Sequence, residues 1–138
     1  MTAAELIAQA AKRLSDAGVP EPELDAKILF LEAFHMDQVH FLMNRMRPLT
    51  EEQRTQQETY EAMIDRRSAR VPLQQILGSQ GFMGLTFRVT PDVLIPRQDT
   101  ETLVEQVLQE QKDPDIRLLD LCTGSGCIAI SLAVMGGY

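Results

Sequence analysis

The sequence predicts an α+β fold: an all-α N-terminal helical bundle, a β-hairpin linker, and then the opening strand, loop and helix of an α/β domain. Apolar residues recur at helical spacing through residues 1–69. The next runs are short, β-rich and divided by glycines. An apolar run from Ile116 to Leu121 then ends at a glycine-rich turn, and helical spacing follows it. We therefore divide the chain into segments 1–70, 71–90 and 91–138.

The composition is typical of a globular protein, with 44% hydrophobic and 24% charged residues among 138. No apolar run approaches the roughly 18–20 residues of a membrane span. The first residues lack the basic start and apolar stretch of a signal peptide. The net charge of −7 disfavours nonspecific nucleic-acid binding, which needs a basic face. We expect a cytoplasmic protein with no membrane partner and no direct contact with nucleic acid.

Capping signals predict where the helices of segment 1–70 begin and end. In chain order they are Thr2 with Glu5, Gly18, Pro22, Asp37, and Thr50 with Gln53. The last of these signals is predicted to open a helix through Tyr60, Met63 and Ile64. Short loops between apolar helices indicate a small bundle of antiparallel neighbours. The methionines of the segment are expected to fill that core: Met36, Met43, Met46 and Met63.

A basic cluster, Arg66, Arg67 and Arg70, is predicted to lie in the last turn of the fourth helix. Cations there complement the helix dipole, so a structural role is favoured over partner docking. The hairpin is predicted from residues 71–78 and 82–89, the second run being extended throughout. A further helix is expected to be capped by Asp99 or Thr100 and to carry Leu103, Val104, Val107 and Leu108 on its apolar face.

The glycine-rich turn is the strongest candidate for a ligand site. Strand, tight glycine loop and helix open many nucleotide-binding sheets, because glycine lets the backbone come close to a ligand. Asp120, near the end of the predicted strand, can bind a cationic or hydroxylated group. The run from Gly124 to Ala129 also fits G-x-G-x-x-A, so an NAD-linked oxidoreductase is one alternative.

Neither the histidines nor the cysteines predict a metal site. His35 and His40 have no further ligand at suitable spacing on the same face. Cys122 and Cys127 are expected to be free thiols, because a disulfide between them would distort the turn.

Four motifs follow one another in the chain: Arg70-x-Pro-Leu-Gln-x-Ile-x-Gly78, Phe82-x-Gly-Leu-x-Phe87, Val93-Leu-Ile-Pro-Arg-x-x-Thr-Glu101 and Leu119-Asp-Leu-x-Thr-Gly-Ser-Gly126. In this order and spacing they resemble the PrmC/HemK family, the N5-glutamine methyltransferases of peptide chain release factors. The resemblance covers essentially the whole chain. It departs from the family pattern at Gln75, where Tyr is frequent, at Gln98, where Pro is frequent, and at Cys122, where Gly is common.

The resemblance implies methyl transfer from S-adenosylmethionine to the glutamine of a Gly-Gly-Gln tripeptide in a release factor. Residues 91–138 would then begin a class I, Rossmann-like methyltransferase domain, and the helical domain would help to receive the release factor. The residues implied for the cofactor loop are Asp120, Cys122, Thr123, Gly124, Ser125 and Gly126. Those implied beside the pocket are Pro96, Arg97, Thr100 and Glu101, for which a rigid proline turn and a helix cap are an equally good interpretation.

The family's Asn-Pro-Pro-Tyr motif does not occur in the sequence, so no catalytic residue is assigned. We expect this chain to be the N-terminal portion of a longer enzyme and to be inactive alone. The alternative is a noncatalytic helical binding module with an unfinished α/β tail. In either case the apolar run 116–121, as an unpaired strand, is expected to promote self-association.

Overall fold

A computed structural model describes residues 1–138, which form two compact units, Met1–Leu77 and Gly78–Tyr138. The helices and strands are α1 (Ala3–Asp16), α2 (Pro22–Ala33), α3 (Gln38–Asn44), a 3-10 turn (Glu51–Gln53), α4 (Arg54–Ser68), α5 (Leu73–Leu77), β1 (Ser79–Phe82), β2 (Leu85–Arg88), α6 (Gln98–Glu110) and α7 (Cys127–Gly136). The chain is therefore α+β and rich in helix, as predicted. None of the helices combines the length and apolar character needed to cross a bilayer.

The predicted capping box opens α1. The Thr2 hydroxyl accepts a hydrogen bond from the Glu5 N–H at 3.2 Å, and the Glu5 carboxylate accepts one from the Thr2 N–H at 2.9 Å. Gly18 follows the end of the helix with φ +80°, a left-handed conformation that glycine adopts without strain. Pro22 is the first residue of α2, as expected.

Aromatic rings fill the centre of the first unit. Phe30 stacks on Phe34 with ring centroids 4.2 Å apart, and Tyr60 meets Phe30 edge-on at 5.5 Å. The Tyr60 hydroxyl donates a hydrogen bond to the Ala26 carbonyl at 2.9 Å, so its polar tip is satisfied inside the core. Tyr60 and Ile64, which lie on the predicted fourth helix, are both fully buried.

Two arginines of the basic cluster have structural partners. Arg67 donates from Nε to Asp25 Oδ2 at 2.8 Å and from Nη1 to the Val71 carbonyl at 3.0 Å. Arg70 donates from Nη1 to the Gly18 carbonyl at 3.0 Å. These bonds connect α4 and the segment after it to α2 and to the α1–α2 connection, which confirms a structural role for both side chains. The predicted position of Arg70 is wrong, because α4 ends at Ser68 and Arg70 follows it with φ +71°.

The prediction that the methionines fill the core is wrong for two of the four. Met43 and Met46 are 71% and 68% exposed, whereas Met36 and Met63 pack against the core. The reason is the shortness of α3, which has seven residues and buries only Phe41. Its other apolar side chains face away from the bundle.

Residues 71–78 do not form the predicted first strand of the hairpin. They contain the short helix α5, whose first turn is held by the Pro72 carbonyl, which accepts from the Gln75 and Ile76 N–H groups at 3.0 and 3.2 Å. The backbone of proline is preset for a helix start, and Ile76 is buried in the core of the first unit. The helix places the Ile76 side chain in this core, and its burial favours helix over strand for these residues.

The hairpin itself is shorter than predicted and lies within residues 79–88. Phe82 faces Leu85 across an antiparallel pair, so only Met83 and Gly84 form the loop. Their φ values of +50° and +74° are those of a tight turn whose twist matches the strands. The prediction of continuous extension over 82–89 is therefore wrong.

The core of the second unit joins the hairpin to α6 and α7. Its buried members are Phe82, Phe87, Val104, Cys127 and Leu132. Helix α6 begins at Gln98 with Arg97 as its N-cap, so the predicted caps, Asp99 and Thr100, lie inside the first turn instead. Of the predicted apolar face, Val104 is buried and Leu103 is half exposed.

The strand predicted from Ile116 to Leu121 is not formed. The only sheet pairs β1 with β2, and no backbone group of residues 116–121 takes part in a backbone hydrogen bond. Leu119 and Leu121 are 83% and 77% exposed. A strand needs neighbours for its backbone donors and acceptors, and no other strand of residues 1–138 pairs with this segment. The following helix, α7, is formed as predicted.

Candidate functional site

The glycine-rich loop makes a sharp turn into α7. Cys122, Gly124 and Gly126 have φ values of +59°, +60° and +81°, so three of five successive residues are left-handed. The Gly126 N–H donates to the Thr123 carbonyl at 3.0 Å, which closes the turn. The two glycines adopt this conformation freely, whereas Cys122 does so at a cost of about 1–2 kcal/mol.

Asp120 fastens the loop to the helix that follows. Its Oδ2 accepts a hydrogen bond from the Thr123 hydroxyl at 2.8 Å and another from the Ala129 N–H at 3.3 Å. Ala129 is the third residue of α7, whose N-cap Gly126 has no side chain with which to cap it. Asp120 therefore supplies the missing cap from six residues away and places negative charge where the helix dipole favours it.

The loop leaves room for a ligand above Gly124. A Cβ built on Gly124 would meet no atom within 4 Å, whereas one on Gly126 would lie 3.1 Å from Ile130 Cδ1. Cys122, Thr123 and Gly124 are exposed, and Ser125 and Gly126 are partly buried. The predicted loop residues thus form one continuous surface that is open above its backbone.

This surface fits the amino-acid end of S-adenosylmethionine. A carboxylate such as that of Asp120 suits an ammonium group, and the first N–H groups of a helix suit a carboxylate. The hydroxyls of Thr123 and Ser125 offer further hydrogen bonds. The open space at Gly124 is what close approach of such a group requires.

An apolar cleft of about 400 Å³ lies beside the loop, with Asp120 in its wall. The cleft is lined by residues of the 116–120 segment, α6, α7 and the C-terminal residue: Leu103, Ile116, Leu118, Leu119, Asp120, Ile128, Ala129, Leu132, Ala133 and Tyr138. Of the six predicted loop residues, only Asp120 takes part. The loop and the cleft therefore share this one charged side chain.

The four residues predicted beside the pocket do not line this cleft. Pro96 is buried and Arg97, the N-cap of α6, is exposed; its carbonyl accepts from the Thr100 N–H at 3.0 Å. Glu101 accepts from the Met83 N–H at 2.8 Å. Their contacts are those of a proline turn and a helix start, and ligand contact by them stays a prediction.

The sequence did not predict the hydrogen bond from the Met83 N–H to Glu101. Eighteen residues separate the two, and no sequence pattern links them. The exposed apolar face of α3 was not predicted either, although its helical spacing is visible in the sequence.

Cys122 is exposed and Cys127 is buried, and both are free thiols, as expected. No group of three or more His, Cys, Asp or Glu side chains is arranged to hold a metal ion.

Three curated relatives are similar to the chain along most of its length. The release factor glutamine methyltransferase of Moorella thermoacetica is 42% identical over 135 residues, covering 96% of this chain and 46% of that protein. That of Geobacter sulfurreducens is 42% identical over 120 residues, covering 87% and 41%. That of Cereibacter sphaeroides is 40% identical over 132 residues, covering 96% and 45%. The chain thus spans less than half the length of these relatives.

A family model described as the PrmC N-terminal domain matches residues 5–78. This range covers α1 from its third residue onward, all of α2 to α5, and ends at the first residue of the second unit. Because the match covers more than half of the sequence, the chain belongs to the PrmC family.

Proposed function

We propose that this chain serves in the N5-methylation of the glutamine in the Gly-Gly-Gln tripeptide of peptide chain release factors, with S-adenosylmethionine as methyl donor. The observation that carries the proposal is the run of four motifs from Arg70 to Gly126. It is supported by 40–42% identity to three proteins named release factor glutamine methyltransferase.

In this proposal the loop before α7 holds the amino-acid end of the cofactor. The Asp120 carboxylate would pair with its ammonium group, and the Ser125 hydroxyl and the first N–H groups of α7 would bind its carboxylate. The Thr123 hydroxyl, which donates to Asp120, would hold the Asp120 carboxylate in place. Gly124 would let the backbone approach without a side chain in the way. When bound, S-adenosylmethionine supplies an electrophilic methyl group, so the protein mainly needs to align nucleophile and methyl.

The glutamine amide is a poor nucleophile because its nitrogen lone pair is delocalised. The family orients this group with an Asn-Pro-Pro-Tyr motif, and these 138 residues contain none. We therefore expect cofactor binding by the loop but no methyl transfer by this chain alone. The helical unit, with its own buried core, would contribute to receiving the release factor.

The first experiment is calorimetric titration of the chain with S-adenosylhomocysteine, with NAD as comparison. Saturable binding of S-adenosylhomocysteine alone, weakened in Asp120→Asn, is the expected result. The Asp92→Asn variant is the matched control, because Asp92 is exposed and distant in sequence from the loop. Selective binding of NAD would instead favour an oxidoreductase and contradict the proposal.

The second candidate function is a noncatalytic helical binding module. This candidate is favoured because the first unit has a hydrophobic core of its own. In the second unit, by contrast, the apolar segment 116–121 pairs with no strand. Neither candidate predicts methyl transfer by this chain alone, so cofactor binding in the presence of a release factor distinguishes the two. Complex formation without cofactor binding supports the module, whereas saturable binding of S-adenosylhomocysteine favours the first proposal.

A further inference from the structure

The apolar cleft beside the loop has partly exposed walls. Its volume of about 400 Å³ lies within the range of roughly 300–1,000 Å³ that is usual for small-molecule sites. Leu118 and Leu119, from the segment before the loop, and Leu103 of α6 line it and are 47%, 83% and 52% exposed. The cleft therefore presents apolar surface to water, and a ligand that covers this surface gains the hydrophobic contribution to binding.

Asp120 is the only charged side chain that lines the cleft, and it takes part in none of the ion pairs of the chain. Its two hydrogen bonds, from the Thr123 hydroxyl and the Ala129 N–H, both end on Oδ2. Oδ1 accepts no hydrogen bond from the chain, and it is not one of the buried polar atoms that lack a partner, so it is in contact with solvent. The negative charge is therefore available to a ligand through Oδ1.

The Asp120 carboxylate is also held in a fixed position. Thr123 belongs to the loop and Ala129 to α7, so the two bonds to Oδ2 hold the side chain from both sides of the turn. The dipole of α7 favours the ionised carboxylate at this helix start. Because the side chain is already ordered, little conformational freedom is lost when it binds a cation.

We propose that the cleft is a binding site for a small apolar molecule that carries one ammonium group, such as an arylalkylamine. The apolar body would cover Leu103, Leu118 and Leu119, and the ammonium group would donate a hydrogen bond to Asp120 Oδ1. A charge-assisted hydrogen bond is stronger than a neutral one, so the site should select the cation over a neutral ligand of the same shape.

Other classes of ligand fit the cleft less well. No Lys, Arg or His side chain lines it, so an anion would meet only the like charge of Asp120. A neutral apolar molecule would cover that carboxylate without supplying a partner for Oδ1, which is costly. A second copy of the chain would cover the exposed leucines, and it would show itself as a dimer.

A ligand in the cleft also affects the loop, since both share Asp120. In the proposed function this carboxylate pairs with the ammonium group of S-adenosylmethionine. The ligand in the cleft would then compete with the cofactor for one charge and act as an inhibitor. This consequence rests on the proposed function, whereas binding in the cleft does not.

The probe is phenylbutylamine, titrated into the full chain while amide chemical shifts are followed by two-dimensional NMR. Saturable shifts are expected at Ala129 and Ala133, with a dissociation constant of about 1 mM, because a ligand of this size is limited to weak binding. Phenylbutyrate, which carries the opposite charge on a similar body, should bind about tenfold more weakly. Butylamine, which lacks the ring, should give no saturable shifts, and this separates the cleft from nonspecific attraction to an acidic chain.

Variants then locate the binding on the chain. Asp120→Asn should weaken phenylbutylamine about tenfold and abolish its advantage over phenylbutyrate. Ala133→Leu adds a larger side chain to the lining at an exposed helix position, and should weaken both ligands alike. Val134→Leu is its matched control, because Val134 is the next residue of α7, is 63% exposed and does not line the cleft. This control should leave both affinities unchanged.

Absence of saturable shifts with phenylbutylamine, equal binding of phenylbutyrate, or binding that Ala133→Leu does not change would each overturn the proposal. A dimer in analytical ultracentrifugation that Leu119→Ser dissociates would also overturn it, because a second copy would then cover the cleft.

Competition with S-adenosylhomocysteine is a separate measurement. Phenylbutylamine that binds without displacing bound S-adenosylhomocysteine would contradict the shared use of Asp120. If the amine binds and S-adenosylhomocysteine does not, the proposed cofactor role of the loop fails and the cleft site stands.

Discussion

The carboxylate of Glu101, in the first turn of α6, accepts a hydrogen bond from the backbone N–H of Met83 at 2.8 Å. Met83 is the first loop residue of the hairpin and has φ +50°. A residue that the family resemblance associates with a ligand pocket therefore holds a two-residue turn in place. The bond connects the hairpin to the start of α6 in addition to their shared apolar core.

Replacing Glu101 with Ala should leave the Met83 N–H without its partner. A partly buried donor left unsatisfied costs about 1–3 kcal/mol, so hydrogen exchange in the hairpin should accelerate accordingly. Glu101→Gln retains an accepting oxygen and should restore most of the protection. Glu105→Ala, an exposed position on the same helix, is the control. Equal exchange rates in the two alanine variants would contradict this role.

Asp120 is expected to show separable structural and ligand-binding roles. Asp120→Ala removes the acceptor for Thr123 and Ala129, and should destabilise the start of α7 by about 0.5–2 kcal/mol, as for a lost helix cap. Asp120→Asn keeps an acceptor and should cost less, while still weakening S-adenosylhomocysteine. Hydrogen exchange at Ala129 and calorimetry measure the two effects. If Asn were as destabilising as Ala, the capping role would be wrong.

Cys122→Gly should stabilise the loop modestly. Glycine adopts the left-handed conformation without the strain of about 1–2 kcal/mol that Cys122 bears, which raises the free energy of unfolding. Glycine also makes the unfolded chain more flexible, which lowers the free energy of unfolding by about 0.5–1 kcal/mol. Cys122→Ser retains a side chain and should show no such gain. Chemical denaturation of both variants tests this difference, and a glycine variant less stable than the serine one would refute the strain.

Arg67→Met should strongly destabilise the first unit, because it leaves Asp25 buried without a partner. The two side chains are 14% and 9% exposed, and breaking such a pair typically costs about 3–5 kcal/mol. Arg66→Met removes a neighbouring but exposed cation and should change stability by less than about 0.5 kcal/mol. Urea denaturation followed by circular dichroism compares them. Similar midpoints for the two variants would count against a structural role for Arg67.

The first unit should lose stability at alkaline pH through Tyr60. Burial raises the pKa of the Tyr60 phenol, and the nearby charge of Glu61 raises it further. A pKa that is higher in the folded than in the unfolded state gives stability that is complete below about pH 10, and this stability is lost as the pH rises toward the folded value. Tyr60→Phe should abolish this dependence while losing about 1 kcal/mol at neutral pH with its hydrogen bond to Ala26. Denaturation between pH 8 and 11 provides the comparison.

Local signals in the sequence were sufficient for most helix ends. Thr2 with Glu5, and Asp37, make the capping bonds that their spacing predicts. The Thr50 N–H donates to Gln53 Oε1 at 3.0 Å, but this pair opens the 3-10 turn ahead of α4 and not α4 itself. A cap needs only residues three or four positions apart, which are neighbours as soon as a helix turn forms. The helix through Tyr60, Met63 and Ile64 was predictable for the same reason, because these residues recur at helical spacing.

Contacts between distant segments decided the rest. Residues 71–78 became a helix because Ile76 is buried in the bundle, and Met43 left the core because α3 has only one face available to it. The left-handed turn at Met83 depends on pairing of the two strands on either side, and methionine at that position does not signal it.

What the sequence determined by itself is the family, the α+β class, the helix caps and the position of the glycine loop before α7. Each follows from residues close together in the chain. Only the tertiary structure decided that Asp120 caps α7, that Glu101 binds the hairpin turn, and that residues 71–78 form a helix. Hydrogen bonding and burial depend on which segments meet in space, and that information is distributed over the whole fold rather than over any single stretch.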